Sequence, residues 1–109
     1  MTRRLERATE VIKREISAII YKCVDLGRGT LLTVTRVNLA EDLHYVDVYF
    51  MVIPDERAEE VNKILGKSIF EIQQALNKRL RMRPVPKVRF HNDEAELEAA
   101  RLDELLKGI

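Results

Sequence analysis

Apolar residues recur at Leu5, Ala8, Ile12, Ile16, Ile19, Ile20 and Cys23, with Lys13, Arg14 and Glu15 on the opposite side. This three-and-four spacing predicts an amphipathic first helix, with Cys23 read as a small core residue on its apolar stripe. The run Asp25-Leu26-Gly27-Arg28-Gly29 ends that helix, because paired glycines favour turn conformations. From Leu31 to Leu39 the period changes to two, with Thr33, Thr35 and Val37 on one face and Leu32 and Val34 on the other. After a connection over Ala40 to Leu43, Tyr45 to Ile53 alternates Val46, Val48, Phe50 and Val52 against Tyr45, Asp47 and Tyr49. The two runs are predicted to pair as an antiparallel hairpin.

Pro54 and Asp55 close the second strand and open a long helix, with Asp55 and Glu56 where the helix dipole favours negative charge. Its stripe runs through Ile64, Leu65, Ile69, Ile72, Ala75, Leu76 and Leu80, and the helix extends to about Met82, ended by Pro84. Gly66 costs about 1 kcal/mol relative to alanine and marks a kink or break. Pro86 begins a third strand in which Val88 and Phe90 face inward while Lys87, Arg89 and His91 face outward. Asp93 with Glu96 has the spacing of a capping box, and Leu97, Leu102, Leu105 and Leu106 suggest a short last helix. A strand reached through helices returns parallel to the strand before the crossover. The pattern therefore predicts one α+β domain over residues 1–109, with a small mixed three-stranded sheet, one helical layer and an open opposite face.

Charge changes this picture more by its distribution than by its sum. The net charge is only +1, with 34% charged and 46% hydrophobic residues, a profile of a globular chain. Residues 78–89, however, hold Lys78, Arg79, Arg81, Arg83, Lys87 and Arg89 and no acid, while Asp93, Glu94, Glu96, Glu98, Asp103 and Glu104 crowd the tail. Six cations where a helix gives way to a strand exceed what a dipole cap needs and call for an anionic counterpart. Arg3, Arg4 and Arg7 either extend the patch or are ordinary helix-start residues. A single cysteine excludes an internal disulfide and a Cys-rich zinc site, and no apolar run approaches the roughly 20 residues of a membrane span. With no apolar signal core behind the first arginines, a cytoplasmic location is expected.

Three segments resemble the ribosome-binding factor A family of bacteria. They are Arg4-Leu5-Glu6-Arg7-Ala8 through Ile20, the hairpin from Val34 to Leu43 followed by Val46-Asp47-Val48-Tyr49, and Leu76-Asn77-Lys78-Arg79-Leu80-Arg81-Met82-Arg83 with Pro86, Val88, Phe90 and Asp93. The resemblance implies a type II K-homology fold. It also implies a non-enzymatic factor that needs no cofactor and binds the small (30S) ribosomal subunit and 16S rRNA. Late subunit maturation, rRNA processing, cold adaptation and a partner GTPase are carried by the resemblance alone, and a monomer is expected. Ser68-Ile69-Phe70 stands where the family's kink usually has Ala-x-Gly, so the bend is expected nearer Gly66, or the helix straighter. Gln73 replaces the arginine usual three residues later, and Asp25-Leu26-Gly27 replaces Asp-Pro-Arg.

RNA-binding K-homology domains hold backbone with a Gly-x-x-Gly loop, which this chain lacks. Recognition is therefore expected to lean on phosphates and shape, through Lys78, Arg79, Arg81, Arg83, Lys87 and Arg89. Phe50 and Phe90 read as core, while Tyr45 and Tyr49 line the open face. His44 and His91 have no spaced ligand partners, and Gly66-Lys67-Ser68 lacks the upstream glycine of a phosphate loop, so catalysis is not expected. The competing reading is a protein-interaction module using the open sheet face or the acidic tail.

Overall fold

The computed structural model describes residues 2–108. Helix α1 spans Thr2–Cys23, strands β1 and β2 span Leu31–Leu39 and Tyr45–Ile53, and a 3-10 turn at Asp55–Arg57 leads into α2, Ala58–Lys67. Helix α3 covers Ile69–Arg79, strand β3 Lys87–Asn92 and helix α4 Glu94–Lys107. The sheet order is β1-β2-β3, with β1 antiparallel and β3 parallel to the central β2. Helices α1, α2 and α3 cover one face, and the expected α+β arrangement with a mixed sheet is what the chain forms.

The core is built by the apolar stripes meeting this face. Ile12, Ile16 and Ile19 of α1, Val61 and Leu65 of α2, and Ile72 and Leu76 of α3 close over Val46, Val48, Phe50 and Val52 of β2. Cys23, expected in the core, is exposed in the last turn of α1, where its neighbour Val24 is the residue that packs against the core. Strand β1 departs from simple alternation. Its register slips between Val34, paired with Phe50, and Arg36, paired with Tyr49, so Thr35 is a bulge. Beyond it Val37 pairs with Val48 and points toward the core, not to the face of Thr33 where period-two counting places it.

The long helix breaks at Ser68, two residues beyond Gly66, the position at which the glycine predicts the bend. Ser68 (φ −94°, ψ 1°) separates α2 from α3, yet its N–H still reaches the Ile64 and Leu65 carbonyls at 3.0 and 3.2 Å, while its own carbonyl accepts from Ile72. The helical ladder is bent over one residue without being abandoned. Helix α3 then ends at Arg79, three residues short of Met82, because Leu80 turns extended (φ −89°, ψ 141°) to keep its side chain 5% exposed in the core.

Gln73 locks β3 in place. Its Nε2 donates to the Pro86 carbonyl at 3.0 Å and its Oε1 accepts the Val88 N–H at 3.0 Å, satisfying two backbone groups on the open edge of β3. An arginine, which has no acceptor, cannot make the second bond. Gln73→Ala strands a half-buried N–H and is expected to cost about 1–3 kcal/mol in a urea unfolding curve. An unchanged midpoint would show that β3 holds without the amide.

Asp93 caps α4 and is 3% exposed. It accepts from the Glu96 N–H at 3.2 Å, from Thr35 Oγ1 at 2.5 Å and from Arg36 Nε at 3.3 Å. The reciprocal half of a capping box is missing, since the Asp93 N–H is spent on the Phe50 carbonyl at 2.8 Å. The Thr35 hydroxyl foremost, with the Glu96 N–H and Arg36, outweighs burial and holds the carboxyl below its ordinary 3.8. A depressed folded value stabilises fully above the unfolded one and ceases to do so as pH falls through the folded one. The stability gap between the wild type and Asp93→Asn should therefore be widest near neutral pH and close in acid. A gap of constant size down to low pH would contradict this origin.

Candidate nucleic-acid interface

The six cations of residues 78–89 do not form one row. Lys78 and Arg79 sit in the last turn of α3, Arg81 and Arg83 in the connection that follows, and Lys87 and Arg89 on the open face of β3. Three are engaged within the fold. Arg79 Nη1 reaches Glu15 Oε2 of α1 at 3.1 Å. Arg83 Nη1 donates to the carbonyls of Leu80 and Met82 at 2.6 and 2.8 Å, fastening the connection to itself. Arg89 grips Asp47 with Nε at 2.9 Å and Nη2 at 3.1 Å. Burial pushes the Asp47 carboxyl upward, but Arg89 and His91 together win and hold it below 3.8, so this pair is fully charged at neutral pH.

Lys78, Arg81 and Lys87 remain exposed and, among the described residues, have no carboxylate partner. They follow the chain around the corner from α3 to β3. Lys78 borders a shallow groove lined by Phe70, Glu71, Gln74, Ala75 and Arg79, and Lys87 borders another with His44, Tyr45, Pro84 and Val85. Helix α1 runs antiparallel to β1, with Lys13 Nζ 3.4 Å from the Thr35 carbonyl. At 1.5 Å per residue, Arg7, Arg4 and Arg3 lie roughly 9 to 15 Å further toward the Leu39 end of the sheet, the end where β3 begins. All three are exposed, at the same end of the molecule as the corner.

Arg36, which sequence reasoning left out, stands apart from this set: it is exposed on β1 and paired with Asp93 at 3.3 Å. It is opposite Tyr49 only because of the Thr35 bulge, and its guanidinium carbon lies 3.8 Å from that ring's centroid. Among the described residues no group of three His, Cys, Asp or Glu side chains is placed to hold a metal ion. Nor is any helix there long and apolar enough to cross a membrane.

An α+β chain whose third strand returns parallel through a broken helix pair has a K-homology-like architecture. The crystal structure of ribosome-binding factor A from Thermus thermophilus shares it, with a TM-score of 0.71 and 27% identity over 81% of this chain and 93% of that one. The chain belongs to the ribosome-binding factor A family, whose model matches residues 4–106. Ribosome-binding factor A of Latilactobacillus sakei is 31% identical over 111 residues, covering 100% of this chain and 94% of the relative. A Thermus thermophilus ribosome binding factor A homology model, as fitted into the cryo-EM map of a 30S–RbfA complex, matches with a TM-score of 0.64 and 28% identity over 80% and 92% of the two chains.

Proposed function

We propose that this chain is a non-enzymatic assembly factor that binds the free 30S subunit through 16S rRNA and promotes its late maturation in the cytoplasm. Support comes from the family, from the relative fitted into a 30S map, and above all from Lys78, Arg81 and Lys87, exposed cations without internal carboxylate partners among the described residues. Charges left uncompensated by their own fold are those a phosphodiester backbone can neutralise, each contact releasing a counterion. Arg79, Arg83 and Arg89 shape the corner, and Arg3, Arg4 and Arg7 widen its field. The chain acts as a monomer by preferring one rRNA arrangement and shifting the population toward it. A partner GTPase belongs to the same pathway by family likeness.

Sedimentation of the full chain with purified 30S subunits across a salt series tests the reading. Retention that falls steeply with salt supports it. The second reading, a protein-interaction module, is favoured by Leu102, Leu105 and Leu106 of α4, large apolar side chains that stand mostly exposed. Retention indifferent to salt and to loss of the corner charges would favour that reading instead.

A further inference from the structure

The sheet face turned away from the helices carries a chain of planar side chains, of which Arg89 alone belongs to the basic corner. Arg36 lies over Tyr49, and Tyr49 stacks on His91 with ring centroids 5.0 Å apart and planes inclined by 29°. His91 Nε2 meets Asp47 Oδ1 at 2.7 Å, Asp47 holds the Arg89 fork, and Arg89 lies over Tyr45 at 4.4 Å from the ring centroid. Each guanidinium is thus fixed twice, by a tyrosine ring beneath it and by a carboxylate at its edge, Asp93 for Arg36 and Asp47 for Arg89. The two side chains nevertheless stay 58% and 50% exposed, so their outer surfaces are open.

A guanidinium held in a fixed plane with one side free is a stacking surface for a nucleobase, and it has little rotamer freedom left to lose. The two arginines sit on opposite edge strands across β2, about 10 Å or more apart at a strand spacing of ~4.8 Å, enough to seat separate bases of one strand. Neighbouring Lys87 continues the positive field into the basic corner, which favours a polyanion over an apolar or cationic peptide. We propose that this sheet face is a second RNA-contacting surface, on which Arg36 and Arg89 stack unpaired nucleobases. The inference rests on RNA being the partner.

Fluorescence anisotropy of a labelled decauridine with the full chain tests it, beside 30S sedimentation of the same proteins. Arg36→Lys and Arg89→Lys keep the charge and remove the plane. Each is expected to weaken oligonucleotide binding about fivefold or more with an unchanged salt slope. Lys78→Gln with Arg81→Gln should instead lower that slope. The chain has no tryptophan, so quenching of tyrosine emission by the bound oligonucleotide is an added supporting signal. Thermal melts identify a lysine variant that fails to fold, and Arg36→Lys carries the test alone if Arg89→Lys loosens Asp47. Wild-type affinity in both lysine variants overturns the proposal. So does a wild-type chain that sediments with 30S subunits but ignores decauridine, an outcome that leaves the corner reading standing. Absence of both kinds of binding removes the RNA reading and this proposal together. Lysine variants that lose the subunit yet bind decauridine normally would show that the face holds a protein, which also overturns it.

Discussion

Replacing Lys78, Arg81 and Lys87 together by glutamine is expected to abolish most salt-sensitive retention on 30S subunits while leaving the melting temperature nearly unchanged. The three side chains are exposed and make no internal ion pair among the described residues, so their removal costs the fold little. On RNA each neutralised phosphate contributes about 0.7 to 0.9 to the slope of log affinity against log salt, so three lost contacts should flatten it by about 2 to 3. Arg79→Gln is the internal control. Its guanidinium is already paired with Glu15, and its loss should loosen the α1–α3 contact slightly and move the slope far less. A triple variant that sediments like the wild type at every salt concentration would remove the corner from the interface.

The largest loss of stability is expected from Phe50→Ala. Phe50 is fully buried at the middle of the central strand, paired with Val34 across the hairpin and set edge-on to Phe90 at 6.4 Å between centroids. Truncating such a ring removes its transfer energy and leaves a cavity that a close-packed interior closes only in part, together about 3–5 kcal/mol. Against a total of about 5–15 kcal/mol for a chain of this class, that is a large share of the whole. The Phe50 carbonyl also receives the Asp93 N–H, so the damage should spread to the start of α4. Urea unfolding measures it. A loss below about 1 kcal/mol would mean that the ring is not where the core converges.

What could be read from the chain, and what could not, follows from the range of each interaction. The alternation of Val46, Val48, Phe50 and Val52 is unbroken and appears unchanged in the fold, because neighbouring positions alone decide it. Leu80 misled the helix boundary because a buried residue there fits a continuing stripe as well as an extended exit, and Pro84 sets only the latest possible end. The fate of the arginines was hidden for another reason. Arg79 finds Glu15 across 64 residues and Arg89 finds Asp47 across 42, so counting charges along a segment cannot separate engaged cations from available ones. Gln73 gave no sign either, since its partners are main-chain groups that any sequence supplies.

The slip in β1 has a corollary for how this sheet was assembled. With Thr35 excised, Leu32, Val34, Val37 and Leu39 alternate without interruption against their existing neighbours on β2, so the ladder itself has no need of the additional residue. Thr35 behaves as an insertion retained for what it touches off the ladder, the carboxylate at the root of the last helix. Shortening the chain by that one position should leave a straighter, intact hairpin whose final helix has lost a tether. Stability of the sheet and attachment of its C-terminal arm are, at this point, separable by a single codon.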